Sequence, residues 1–466
     1  MTLYMKVAQE FEGQIRTGAL QPGERLPSVR SLSRNRKISA STVLQAYMTL
    51  EARGLIEARP QSGYYACATR AAVCTPLKMP DLGIKHGAVK TTDIIANMRK
   101  AGRDSGFFQL GCAHMDSELY PVKRLSRLLA RAAREHPQHI GQMDFPPGNI
   151  RLRRQIARRY AELGCAATAD DIILTSGCNE ALMLALRAGT KAGDTVLVES
   201  PTYFNTLEVI HSLGLKTVEV PSDPSTGLDL DAVREAFKRY PIRAGIVIPN
   251  FGNPTGALMP DENKRELVKV FKEHQAWLIE DDIFGELPFS QKRPKPLRFF
   301  DSKGVVITCS SFSKTIGPGL RVGWIFPAGL HDEIESSKYL LNGGVPLITT
   351  ELVADFLESG SYERYLRGVR QELATQVARI SEAILRAFPE GTEISRPQGG
   401  FVVWVKLPKG LSSVDLYRKA VDAKINIAPG VIFSASGRFE NYIRISCGSW
   451  SDAIARALSK LGGLLK

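Results

Sequence analysis

Between residues 171 and 314, five apolar runs each break off into unusual polar sequence. "DIILTSGCNEA" ends in Ser176-Gly177-Cys178-Asn179, "TVLVESPTYF" in Pro201-Thr202-Tyr203, and "AGIVIPNFGNPTG" in Asn253-Pro254-Thr255-Gly256. "AWLIEDDIF" passes through Glu280-Asp281-Asp282, and "GVVITCSSFSK" ends in Ser310 to Lys314. Short, continuously apolar runs that alternate with helical stretches describe buried strands of a mainly parallel sheet in an α/β domain. Ligands of open α/β sheets gather outside the carboxyl ends of the strands. The five tails are therefore expected to converge on one site.

The tails supply a lysine (Lys314), an acid at the end of a buried strand (Asp281), an amide (Asn253) and an aromatic ring (Tyr203). Hydroxyl and glycine groups lie beside Arg321. Hydroxyls, the backbone N–H groups of a helix start and an arginine suit a phosphate. An acid facing a ring nitrogen keeps that nitrogen protonated, and a lysine amine forms an imine with an aldehyde. This combination describes pyridoxal phosphate. Each motif alone also has an ordinary reading: a loop lysine as surface charge, Asp281 as a helix cap, "NPTG" as a turn. Their conjunction in this order selects the cofactor.

The first seventy residues follow a different period. Tyr4, Val7, Phe11 and Ile15 fall on one helical face, and a second helix near Pro27 turns Val29 and Leu32 inward. A third helix opens at Ser39 as N-cap, buries Val43, Ala46, Tyr47 and Leu50, and ends at Gly54. "LIEARPQSGYYA" reads as two short strands around a turn. Three helices and a hairpin make a winged helix-turn-helix. Ser41, Thr42 and Gln45 lie on the outer face of its third helix, ringed by Arg25, Arg30, Arg34, Arg36 and Lys37. Residues 1–67 hold nine basic and five acidic residues, an excess of +4 within a chain total of +13. A small helical subdomain with a solvated basic face is the plainer alternative to DNA binding. Residues 70–92 lack a sustained period and read as a linker. The expected domains are thus 1–69, a linker 70–92, and an α/β domain over 93–466.

Two resemblances sharpen this. "PGERLPSVR", "STV..AY..LE..GLI" and the "RPQSGY" wing closely resemble the GntR family of bacterial repressors. That resemblance implies DNA contacts from Arg30, Ser39, Ser41 and Thr42, with Gly63 in the wing near the minor groove. Ala40 departs from the pattern, since many relatives carry an arginine there. From about residue 105 to the C-terminus the chain resembles fold-type I aminotransferases of the aspartate aminotransferase superfamily, which implies a large domain with a mainly parallel sheet and a smaller C-terminal α/β subdomain. By that resemblance Lys314 carries the cofactor as an internal aldimine. Asp281 pairs with the pyridine nitrogen, Asn253 hydrogen-bonds the phenolic oxygen, and Tyr203 stacks on the ring. Ser311, Arg321 and the backbone of Gly177, Cys178 and Asn179 hold the phosphate. Arg444, in "ENYIRISCG", clamps a substrate α-carboxylate.

The order of the two parts resembles the MocR subfamily of transcriptional regulators. It implies a cytoplasmic homodimer that binds a double-stranded DNA operator and senses an amine, an amino acid or pyridoxal phosphate itself through an external aldimine. The alternatives are a working aminotransferase of 2-amino acids with an accessory DNA-binding domain, and a repressor whose second domain holds no cofactor. The chain departs from class I aminotransferases at Ile283 and Phe284, where a tyrosine hydroxyl is usual, and at Met143, where relatives place a tyrosine that reaches the partner subunit's phosphate. Both changes point to retained cofactor binding with poor transamination.

Composition removes other classes. No apolar run approaches the roughly 20 residues of a membrane span, and the N-terminus does not read as a signal peptide. Seven scattered cysteines without a CxxC pair argue for a reducing compartment. Seven histidines without HExxH give no reason to expect a metal.

Overall fold

The apolar spacing at the start of the chain folds as its period dictates. The structure, a computed structural model, describes residues 3–16, 20–21, 23–36, 38–52, 55–59, 62–66, 77, 79–80, 82–88, 93–290, 292–302 and 304–466. Helix Leu3–Arg16 buries Val7, Phe11 and Ile15, and helix Val29–Arg36 buries Leu32. Helix Ala40–Ala52 buries Val43, Ala46, Tyr47 and Leu50 completely. The Ser39 hydroxyl accepts the Thr42 N–H at 3.1 Å, which caps that helix. Strands Ile56–Arg59 and Gly63–Ala66 pair antiparallel. Residues 24–26 run along the hairpin, with Leu26 N donating to Tyr64 O and Ala66 N to Glu24 O. These side chains form a hydrophobic cluster of their own, so the module has an independent core. Gly54 and the Pro60-Gln61 part of the turn lie outside the described residues, as does Lys37.

Much of the stretch 70–92 also lies outside them. Its described part departs from a linker without structure, because Lys85–Ala88 is a strand antiparallel to Lys216–Asp223. Four residues are too few to reveal a period. Backbone pairing places them, together with His86 stacked on Tyr240 at 4.7 Å.

Among the described residues the large sheet has nine strands. From the edge strand Lys85–Ala88 the order is Lys216–Asp223, Thr195–Ser200, Ile242–Val247, Trp277–Asp281, Val306–Ser311, Gly323–Phe326 and Ile173–Thr175, with Gly227–Leu228 paired to Lys216–Asp223. The strands from Lys216–Asp223 to Val306–Ser311 are mutually parallel. Gly323–Phe326 runs antiparallel to both of its neighbours. Side chains alternate between the two faces with period two. Val196, Val198, Ile246, Ile279 and Ile307 enter one core; Leu197, Val247, Leu278 and Val306 enter the other. Gly245 is required by close packing, since a Cβ there would lie 2.3 Å from the Phe271 ring.

The C-terminal subdomain is a four-stranded antiparallel sheet in the order Glu393–Ile394, Val402–Lys406, Tyr442–Ser446, Ala428–Pro429. Helix Ser361–Ala387 has 27 residues, about 40 Å of helix. It packs against the C-terminal helix Asp452–Gly463 and also meets helix Ala40–Ala52 of the N-terminal module.

Candidate functional site

All five strand tails reach one cavity of about 270 Å³. Cys178 and Asn179 arrive from the strand Ile173–Thr175, Tyr203 from Thr195–Ser200, and Asn253 from Ile242–Val247. Asp281 comes from the end of its own strand, and Ser311 and Lys314 from Val306–Ser311 and the turn after it. Arg321 and Arg444 complete the wall. A wider cleft of about 600 Å³, lined by Phe289, Arg293 and Lys295 among others, contains none of these groups and is not where the chemistry lies.

Lys314 ends the short turn Phe312–Lys314, which Ser311 opens by accepting the Ser313 N–H. Burial pushes the amine down to about 8; Arg444 adds to the fall and Asp281 opposes it. Its Nζ donates to Ala113 O at 2.6 Å. Asp281 is 3% exposed, and burial raises its carboxyl to about 6. Tyr203 is pushed up to about 12 by burial and remains a phenol.

The phosphate end is built from backbone. Gly177 stands at φ 100° ahead of helix Cys178–Gly189, and a Cβ on it would lie 2.6 Å from Arg321 Nη2. Only glycine lets the guanidinium close over the start of that helix. Arg321 itself is left-handed, at φ 53°, and its Nη2 donates to Ser176 O at 2.6 Å.

Arg444 lies on the central strand Tyr442–Ser446 and is 1% exposed. Its Nη1 donates to Asn253 Oδ1 at 3.1 Å, its Nη2 to Gly111 O, and its Nε has no partner. No carboxylate pairs with it among the described residues. Burial lowers its pKa, a sign of uncompensated charge. A buried cation of this kind is stabilised by an anionic ligand.

This donor set fits pyridoxal phosphate. It offers an amine, an acid, an amide, an aromatic ring and a cradle that a Cβ at Gly177 would fill. Ile283 and Phe284, which replace the usual tyrosine, both line the cavity, and Phe284 packs edge-on against Phe401 at 5.4 Å. Met143 lies outside it and is 62% exposed.

Several wall residues gave no sequence signal. Gly111, Cys112, Ala113 and His114 line the cavity from the segment after residue 109, and Met98 and Arg99 from helix Asp93–Gly102. His114 is pushed down to about 4, first by the Lys314 charge and then by burial, so it is a neutral imidazole at pH 7. Arg99 is held by Glu208 and by Asn205 Oδ1 at 2.8 Å. "GCAHMD" has no period and no motif, so only its position near Arg444 in space identifies it.

On the N-terminal module, Arg30, Ser39 and Ser41 are exposed and Thr42 is half-buried. The Ser39 hydroxyl lies 2.8 Å from that of Ser41 and 2.7 Å from that of Thr42. Gly63 has φ 111° and adjoins the Arg25 side chain. Arg36 differs from its expected place in the free basic ring. Glu10 binds it through two hydrogen bonds, of 2.5 and 2.6 Å, so its charge is paired. No group of three or more His, Cys, Asp or Glu side chains suited to a metal occurs among the described residues, and no described helix is long and apolar enough to cross a membrane.

Comparison with known proteins agrees with both halves. Residues 3–65 match the bacterial regulatory proteins of the gntR family, and residues 115–461 match aminotransferase class I and II. The chain is 38% identical over 465 residues to the uncharacterized HTH-type transcriptional regulator YjiR of Escherichia coli (strain K12), covering 99% of this chain and 98% of the relative. It is 35% identical over 472 residues to YdcR, another uncharacterized HTH-type transcriptional regulator of that strain, covering 100% and 99%. Among solved structures it resembles LysN, the α-aminoadipate aminotransferase of Thermus thermophilus, complexed with N-(5'-phosphopyridoxyl)-L-leucine. The TM-score is 0.74 at 29% identity, over 81% of this chain and 95% of the other. With a GntR helix-turn-helix module ahead of a fold-type I aminotransferase domain, the chain belongs to the aminotransferase class I and II family in its regulator form, the MocR architecture.

Proposed function

We propose that this protein is a DNA-binding transcriptional regulator whose aminotransferase-like domain, loaded with pyridoxal phosphate, reads an amino acid or related amine. The observation that carries the reading is Arg444: a buried guanidinium, without a carboxylate partner among the described residues, in the same cavity as Lys314 and Asp281. Such a group suits an α-carboxylate, which a guanidinium can grip through two parallel hydrogen bonds.

When bound, pyridoxal phosphate supplies an aldehyde carbon that exchanges one amine for another. Lys314 would hold that carbon through its amine, which burial leaves easier to deprotonate than an ordinary lysine. Asp281 would face the ring nitrogen, Asn253 the phenolic oxygen and Tyr203 the ring face. The hydroxyl of Ser311, Arg321 and the N–H groups at Gly177, Cys178 and Asn179 would hold the phosphate. Arg444 would hold the carboxylate of an incoming amino acid, in the same cavity as the Lys314 amine. Binding that favours one arrangement of the walls shifts the protein toward that state. A continuous set of contacts supports coupling to DNA. Glu286, just past Phe284, accepts Arg370 Nε through its carbonyl at 2.8 Å, and Arg370 lies on the long helix that meets helix Ala40–Ala52.

The outer face of helix Ala40–Ala52, with Ser39, Ser41, Thr42 and Arg30 around it and Gly63 in the wing, would enter the DNA grooves. A homodimer is supported by an exposed apolar patch. Met143, Phe145, Tyr339 and Leu340 are all more than half exposed, and Phe145 and Tyr339 lie 5.9 Å apart. A second copy covering this patch would also provide two DNA-binding modules. The second reading, a working aminotransferase, is favoured by the near-complete cavity and opposed by the apolar side chains at Ile283 and Phe284, which cannot donate a hydrogen bond.

The test is to map a bound promoter fragment and measure affinity for it while titrating amines and amino acids. Arg30→Ala or Thr42→Ala should remove DNA binding and leave the cofactor's visible absorbance unchanged. Retained affinity in both variants would overturn the groove assignment. Raised salt should weaken binding steeply through counterion release.

A further inference from the structure

Asp281 and Cys178 lie 103 positions apart in sequence but meet at the cavity wall. The Cys178 thiol donates to Asp281 Oδ1 at 3.2 Å, and Ile283 N donates to the same oxygen at 3.2 Å. Oδ2 receives no hydrogen bond from the described residues, and Asp281 lines the cavity. Cys178 is the first residue of helix Cys178–Gly189 and is 4% exposed. Burial pushes its thiol well above the usual range, so it stays protonated and remains a donor.

One oxygen of the acid is therefore fixed by two donors while the other is presented to the ligand. A buried carboxylate in this setting tends toward the neutral form, because burial penalises its charge. A donor on Oδ1 works against that tendency and fixes the plane of the carboxyl group. We propose that Cys178 is a positioning residue whose thiol holds Asp281 charged and aligned for the pyridine nitrogen of the cofactor. Its backbone serves the phosphate end while its side chain serves the ring end. This rests on reading the cavity as a pyridoxal phosphate site.

The other titratable groups around Asp281 are accounted for. Lys314 faces it across the cavity and favours its charge. Asp282 is engaged by Arg293, Tyr160 and Asn250. The Cys309 thiol sits on the paired strand, in register with Asp281, and is held protonated by burial. Glu199 is raised to about 8 by burial, and Tyr203 remains a phenol. Only Cys178 among these donates to Asp281.

The experiment loads the full-length wild type, Cys178→Ala and Cys178→Ser with pyridoxal phosphate. It measures cofactor dissociation constant and its pH dependence by visible absorbance, with circular dichroism as the check on folding. Removing one hydrogen bond to a charged group should weaken cofactor binding about tenfold in the alanine variant. The pH at which affinity falls away should rise by about one unit. Serine, which keeps a donor, should restore both. An alanine variant with wild-type affinity and pH dependence overturns the inference. So does a folded serine variant that behaves like alanine, because size and not the donor would then matter. If alanine does not fold, serine against Cys178→Val makes the same comparison. A wild type that develops no visible absorbance with the cofactor fails the underlying reading, an outcome separate from either of these.

Discussion

Replacing Arg444 by methionine should separate recognition of the carboxylate from every other contribution to binding. Methionine fills a similar space and carries no charge. In the structure, Nη1 and Nη2 each donate once, to Asn253 Oδ1 and Gly111 O, and Nε is unpartnered. Five N–H groups less two leave three, enough for a two-point grip on a carboxylate. Charge-assisted hydrogen bonds contribute about 1.5–3 kcal/mol each net. Counting one such bond, an α-amino acid should bind about 10- to 150-fold more weakly at 1.4 kcal/mol per factor of ten. The same change also frees Asn253 and Gly111, which would disturb the cofactor itself. That disturbance should act equally on an amine lacking the carboxylate. The assay therefore titrates wild type and Arg444→Met, both loaded with pyridoxal phosphate, with an α-amino acid and with its decarboxylated amine. Visible absorbance gives the affinities. The ratio between the two ligands should collapse in the variant. An equal loss for both ligands, or an unchanged ratio, would refute the assignment of Arg444.

Three further outcomes follow from other parts of the molecule. Leu50→Ala removes a fully buried side chain from the core of the N-terminal module, a change that costs about 2–5 kcal/mol; DNA binding should be lost while cofactor absorbance persists, and a loss of both would contradict the independence of the two cores. Phe284→Tyr should speed conversion of the bound cofactor to its amine form by an amino acid, read as loss of the visible band; an unchanged rate would show that the missing hydroxyl is not what limits turnover. Because burial lowers the Lys314 amine to about 8, the reactive neutral amine increases about tenfold per pH unit below that value and levels off above it. The rate of cofactor loading should follow that curve between pH 6 and 9, and a rate still climbing toward pH 10 would contradict a buried lysine.

The five strand tails were legible because each combines a continuous apolar run with residues rarely placed after one. Parallel strands buried on both faces leave that pattern plainly in sequence. The third helix was equally plain: Val43, Ala46, Tyr47 and Leu50 recur at helical spacing, and all four are fully buried. What escaped was set by contacts distant in sequence. His114 reaches the cavity from a segment without a period, and Arg99 from the helix Asp93–Gly102, whose spacing shows a buried face but not what its arginine meets. The strand Lys85–Ala88 exists because Lys216–Asp223 offers it an edge. Arg36 reads as a free cation until Glu10, 26 residues away, is seen to bind it. Cys178 reads as one member of a phosphate turn, and only the fold shows its thiol at Asp281.

On this reading, occupancy of the cavity changes what the N-terminal module does to DNA. Affinity of the pyridoxal phosphate-loaded protein for a mapped promoter fragment should be measured with and without a saturating amino acid, in wild type and in Lys314→Ala. The wild type should show a shift that disappears in the variant. A shift of equal size in Lys314→Ala, or none in the wild type with any amine that alters its visible spectrum, would contradict it.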